Sequence, residues 1–367
     1  MFKVFTTADV IDRMVDSLGK HACPWLDILE RQGDIFYTGR SEDWQSDPED
    51  PWFVVSQSGH DFINCEEYLD AIPQCPELVL EHPDSAFLLD VDEEFARRVE
   101  RAYGVICQPA SMLDRFCKVA ESYEPWTLRK RDFSDDSIDL ERKCWKDLLG
   151  KLAPNCPSNA LIVIDRNFFT DFNTRTREYV GIEGLADFLD TVLPKRLKCD
   201  YQVLIVYEGG RFARNSYHQV SGSSEESFNK EMTQYMNMKF KGIREYQILV
   251  ELLSASRSNQ DYHYKQLFLE THNRRIATNY YYLGAELSLA PFWKGTGPRV
   301  SQKVWCEFLY SDYQRRNICD LAVREIRDIE DLGRRFVRAD DRSSSVSGPI
   351  RNRLLNSERR ADGGLSA

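Results

Sequence analysis

Two short runs restrict most tightly what this chain can fold into: Ala160–Ile164 (ALIVI) and Val203–Tyr207 (VLIVY), each of strand length and apolar throughout. A strand with one face in water alternates polar and apolar residues; a strand without alternation has to be covered on both faces. Between the two runs, Ile182–Leu193 places Leu185, Phe188, Leu189 and Val192 at helical spacing. Beyond them, Phe228–Lys241 does the same with Met232, Tyr235 and Met236, and Tyr246–Leu253 reads as a third strand. Strands alternating with helices predict an α/β fold with a mostly parallel sheet and helices on both faces. Lys265–Thr271 and Ile276–Leu283 flank His272–Arg275 and predict a terminal antiparallel β-hairpin. A charged helix over Glu325–Val337 closes this domain, which is expected to span 160–337.

The first 120 residues predict a second, smaller N-terminal α/β domain. Phe2–Thr6 reads as a strand and Ala8–Leu18 as a helix, with Val10, Ile11, Met14, Val15 and Leu18 on one face. Ser85–Asp90 is a compact apolar strand. It leads into a helix over Asp92–Tyr103, with Asp92 as N-cap and Glu93 and Glu94 in the first turn, where the helix dipole favours acids. Gly104–Cys107 reads as the next strand. The polar, charge-dense stretch 121–139 predicts an interdomain linker, followed by an amphipathic helix over Leu140–Leu152. From Arg342 onward the composition predicts a disordered tail; residues 334–367 hold eight arginines against four acids.

Composition narrows the function classes. At 367 residues the chain is long enough for two domains, and 42% hydrophobic residues suffice for packed cores. A net charge of −11 means that the bulk molecule repels polyanions and anionic membranes, so contact with nucleic acid or phospholipid requires a local basic patch. None of the ten cysteines pairs in a CxxC or sits at metal-ligand spacing from a histidine, so free thiols in a reducing cytoplasm, and no metal or cofactor, are expected. No stretch approaches the roughly 20 apolar residues of a membrane span, and the N-terminus lacks the pattern of a signal peptide.

Ligands of parallel sheets bind in the crevice beyond the carboxyl ends of the strands. Asp165-Arg166 follows the first apolar run and Glu208-Gly209-Gly210 the second; the segment Thr271–Asn279 (THNRRIATN) adjoins the hairpin. Asp165, Arg166, Glu208 and Arg275 are therefore the expected ligand-binding residues. The plain reading of Arg274 is an ion pair with Asp165 or Glu208, and that of Tyr280-Tyr281-Tyr282 is packing between strands.

The order of these features over 160–293, with His272-Asn273-Arg274, Ile276, Thr278-Asn279-Tyr280 and Gly284, resembles the C-terminal, phospholipase-D-like domain of the microtubule-interacting-and-trafficking-domain-containing proteins. Bacterial proteins with a similar domain share the pattern. The resemblance implies a phosphodiesterase-type site with a His-x-Lys-x₄-Asp signature. His and Lys two positions apart on a strand share a face and reach one phosphate. Here His272, Arg274 and Asn279 occupy that spacing. Arginine still binds phosphate in bidentate fashion, whereas asparagine lacks the charge that would steady an imidazolium. A second frame, His263-Tyr264-Lys265 followed by Glu270, also fits the spacing; the later frame is preferred because the resemblance continues beyond it.

The expectation is therefore a binding or regulatory component with a degraded site for a phosphate-bearing ligand, nucleic acid or nucleotide, or for a partner protein in a larger complex. The bacterial relatives imply a setting in anti-phage defence. The alternative is a metal-independent nuclease or phosphodiesterase. As one chain offers one signature and such sites need two, it would act as a homodimer.

Overall fold

A computed structural model of the chain describes residues 3–17, 34–38, 47–50, 53, 62–113, 123–128, 144–150, 157–209, 225–255, 262–269, 274–293, 297–309, 318–339 and 350–355. Two main sheets organise them. The first has five strands, β1 (Lys3–Thr7), β2 (Asp34–Thr38), β3 (Phe62–Asn64), β4 (Ala86–Leu88) and β5 (Ile106–Gln108), in the order β3-β2-β1-β4-β5, and every pairing is parallel. Three helices accompany it: α1 (Ala8–Ser17), α2 (Glu66–Ala71) and α3 (Glu93–Tyr103). The Asp92 side chain caps α3 by accepting from the Phe95 amide at 2.6 Å, as its sequence position predicts. Gly104 ends the helix in the left-handed region at φ 67°, where a side chain would also strike the Ser158 carbonyl oxygen.

The second sheet has seven strands in the order β11-β10-β7-β12-β13-β16-β6. Its parallel half is β7 (Ala160–Ile164), β10 (Tyr201–Glu208) and β11 (Ile248–Ala255). Its antiparallel half is β12 (Arg274–Thr278), β13 (Tyr281–Ala285), β16 (Gln302–Phe308) and β6 (Tyr123–Leu128). Two small ribbons, β8 with β9 (Phe172–Asn173, Glu178–Tyr179) and β14 with β15 (Phe292–Trp293, Gly297–Pro298), stand apart. The helices are α4 (Trp145–Leu149), α5 (Val180–Val192), α6 (Glu225–Phe240), α7 (Tyr262–Phe268) and α8 (Ile318–Ala339). No described helix is long and apolar enough to cross a membrane, and six cysteines among the described residues are free thiols.

The α/β class and the three apolar strands agree with the sequence; several finer expectations do not. The second sheet is mixed rather than mostly parallel. Part of the expected linker is its edge strand, β6, whose Trp126 and Leu128 are buried against the core. Trp126 and Leu128 are buried on either side of the exposed Thr127, the alternation that a half-covered edge strand needs, and the surrounding charges hide it. The hairpin is β12–β13, whereas most of Lys265–Thr271 lies in or next to α7. There His263, Tyr264, Leu267 and Phe268 are buried at helical spacing, a short run that periodicity alone does not separate from a strand. Within the expected disordered tail, residues 350–355 are packed on the domain. Leu354 and Leu355 are buried, Asn352 donates to the Leu161 carbonyl at 3.1 Å, and Arg353 pairs with Asp200 at 2.8 Å.

The two sheets share one core. Val4, Ile35, Ala86 and Ile106 face the same apolar cluster as Leu161, Val203 and Ile276, while Phe5, Phe36, Phe87 and Cys107 form a separate core on the other face of the first sheet. The β12–β13 turn seals the joint. Asn279, fully buried, accepts from the Asn159 and Ala160 amides at 2.9 and 3.2 Å and donates to the Pro83 carbonyl at 2.8 Å and Asn159 Oδ1 at 3.0 Å. The Tyr280 hydroxyl donates to the Ser85 carbonyl and accepts from the Ile106 amide, each at 2.8 Å.

Candidate functional site

At its carboxyl edge the second sheet switches from parallel to antiparallel between β7 and β12. The end of β7, the end of β10 and the beginning of β12 therefore meet at one rim. Parallel strands leave their polar connecting residues at this edge, which is why the apolar runs ALIVI and VLIVY both stop at charged residues there.

Four residues expected from sequence converge on the rim. Arg274 Nε lies 3.6 Å from Asp165 Oδ1, and Arg274 Nη1 donates to the Glu286 carbonyl at 3.0 Å. Arg166 Nε lies 2.7 Å from Glu208 Oε2, and the other oxygen of this buried carboxylate accepts from the Tyr264 hydroxyl at 2.8 Å. Burial pushes the Asp165 carboxyl above its ordinary range, opposed by the Arg274 guanidinium and the Asn167 amide. The hydrogen bond that Arg166 donates to Glu208 holds its guanidinium more firmly charged than usual. The two guanidinium side chains stay partly accessible, 17% for Arg274 and 23% for Arg166, whereas Glu208 has no exposure. The rim thus presents two arginines to solvent, each backed by a buried carboxylate.

The remaining expected residues go elsewhere. Arg275 projects to the opposite face of β12, as alternation along a strand requires. It is 2% exposed, ion-paired to Glu325 of α8 at 3.0 Å, and donates to the Leu267 carbonyl at 2.6 Å. The Tyr282 hydroxyl donates to the same Glu325 at 3.0 Å. Arg275 is therefore a structural residue rather than a ligand contact. Asn279 lies at the far end of β12, with its carboxamide engaged at the joint. In the second frame, His263 is buried against Asp328 at 2.7 Å and Lys265 is exposed. Two positions apart on α7 they point away from each other, so the pair does not share a face. His272 and Glu270 lie outside the described residues.

No family model matches this chain, and neither a curated protein nor a solved structure does.

Sequence reasoning missed Tyr264, which reaches the rim from α7 to bond Glu208. Its signal was present in the buried spacing of Tyr264, Leu267 and Phe268, which α7 displays as one face. It also missed the Glu325 and Asp328 pair on α8, three residues apart and therefore on one helical face, which serves Arg275 and His263. Among the described residues no group of three or more His, Cys, Asp or Glu side chains is placed to hold a metal ion.

Proposed function

We propose that this protein binds a phosphate-bearing ligand, a nucleotide or nucleic acid, at the rim of its second sheet and does not turn it over. The observation that carries this reading is the placement of Arg166 and Arg274, two partly exposed guanidinium groups from adjacent strand ends, at the switch in strand direction. A guanidinium offers paired N–H donors that match phosphate oxygens. The buried Glu208 carboxylate positions the Arg166 fork in advance, which lowers the ordering cost of binding. The phospholipase-D-like relationship belongs to the same proposal, since it draws on the order of strands and the His272-x-Arg274 spacing.

Binding is favoured over cleavage by the position of Asn279. Arg274 and Asn279 sit at opposite ends of the five-residue strand β12, roughly 17 Å apart at the usual rise per residue. The asparagine is committed to the joint, so it does not supply the group that would orient an imidazole at position 272. The test is calorimetric titration with ATP, together with incubation with bis-p-nitrophenyl phosphate without metal. The expected result is nucleotide binding that is lost in Arg166→Ala with Arg274→Ala, and no release of nitrophenol. Failure of ATP to bind overturns the proposal. Nitrophenol release abolished by His272→Ala replaces it with the homodimeric phosphodiesterase.

A further inference from the structure

A second charged surface lies at the other end of the same sheet. A groove of about 860 Å³ runs between α3 and the 196–198 segment that leads into β10. The eight residues of β10 separate this groove from the rim by on the order of 25 Å. Five of its lining residues are cations: Arg97, Arg98 and Arg101 on the helical wall, Arg196 and Lys198 on the facing wall. All five are exposed. This is a local basic concentration in a chain whose net charge is −11.

Ordinary helix electrostatics accounts for little of it. Arg101 lies in the last turn of α3, where the dipole favours a cation, and Arg97 pairs with Glu93 one turn away. Arg196 and Lys198 belong to no helix. Among the described residues no ion pair or side-chain hydrogen bond engages Arg101, Arg196 or Lys198, and Arg97 and Arg101 stack like charges one turn apart, a repulsive arrangement. One bond joins the two walls: the Lys198 amide donates to the Ala102 carbonyl at 2.7 Å. The floor is tied to the end of α5, where the Tyr246 hydroxyl donates to the Pro194 carbonyl at 2.7 Å and Arg244 Nη2 to the Asp190 carbonyl at 2.6 Å. The cations are thus presented by a braced concavity.

We infer that this groove is a binding site for single-stranded nucleic acid, separate from the rim, with phosphates tracking along Arg97, Arg101, Arg196 and Lys198. Cations on both walls suit a strand that lies between them, and Leu197 and Tyr246 supply apolar surface for sugars and bases. Glu93, Glu94 and Glu245 also line the groove, Glu93 paired with Arg97. Carboxylates accept hydrogen bonds from the exocyclic amino groups of unpaired bases, donors that the ionised side chains of an acidic peptide lack. That chemistry selects nucleic acid over an acidic protein segment. The inference does not depend on the rim, whose binding of a phosphate-bearing ligand is read separately.

The test is fluorescence anisotropy of the full chain with a labelled 20-nucleotide single strand, repeated across a salt series and in competition with polyglutamate. The expected result is saturable binding whose log K falls with log salt by roughly 0.7 per phosphate contacted. Reversing Arg101→Glu with Arg196→Glu should weaken it at least about tenfold, whereas the exposed Arg175→Glu control should leave it unchanged. Circular dichroism checks that each variant is folded. Should the double reversal misfold, Lys198→Gln replaces it, with a loss of about threefold expected. Absence of binding at low salt, equal binding by the groove variants, or displacement by polyglutamate at matched charge concentration overturns the inference.

Discussion

Arg274 and Arg275 are joined by one peptide bond and belong to different worlds. The first stands at an accessible rim, 3.6 Å from a carboxylate; the second is sealed between β12 and α8, 3.0 Å from another. Strand alternation alone separates them, and the lesson is that adjacent identical residues in a motif carry separate tasks. Removing one partner of a buried pair leaves an uncompensated charge, which costs about 3–5 kcal/mol, whereas a partly exposed pair contributes about 1 kcal/mol or less. Denaturant unfolding of Arg275→Met should therefore show a loss near the upper figure, with Glu325→Leu added to it restoring most of the loss. Arg274→Met should lose far less. Equal losses from the two single variants would erase the distinction between rim and interior.

The far end of β12 sharpens the same contrast. Asn279 matches the last position of the phosphodiesterase spacing, yet its four hydrogen bonds all go to Pro83, Asn159 and Ala160 at the joint between the sheets. Asn279→Ala strands two buried backbone amides and should cost about 2–4 kcal/mol. The fall should appear as a lower denaturation midpoint while ATP affinity stays within about twofold of the parent at temperatures where the variant is folded. A large, isolated loss of nucleotide affinity would return Asn279 to the site.

The parts of the molecule written in local patterns were legible before any coordinates. ALIVI and VLIVY announce covered strands because no other arrangement hides every side chain, and Asp92 announces a helix start because its carboxylate meets free amides. The rim was legible for a related reason, since charged residues that end apolar strands have only the sheet edge to occupy. Where long-range pairing decides, the sequence was mute. Tyr123–Leu128 becomes a strand only because Gln302–Phe308 lies beside it, and Pro125 is tolerated there because β6 is the outermost strand. The docking of Arg353 onto Asp200 joins residues 153 positions apart, which no window along the chain reveals. Gly284, read as part of a signature, has a plain steric reason: the Trp305 indole lies against it, within 2.0 Å of where a Cβ would stand.

The smallest effect tests the electrostatics of the rim itself. Burial raises the Asp165 carboxyl above its ordinary value of 3.8, and Arg274 opposes that rise without reversing it. A folded pKa above the unfolded one means that the fold favours the protonated acid. The contribution of this group to stability is therefore full below pH 3.8 and is lost as pH climbs through the folded value. At pH 7 the carboxylate is a net burden on the fold. Asp165→Asn keeps an acceptor for the Asn167 amide, now at 2.9 Å. It should gain stability at pH 7, with the gain shrinking as pH falls toward 4. It also removes an anion that competes with phosphate for Arg274, so ATP should bind several-fold more tightly. If Asp165→Asn is instead less stable than the parent at pH 7 and binds ATP no better, the pair with Arg274 outweighs burial, and the rim is a closed structural cluster like the one around Arg275.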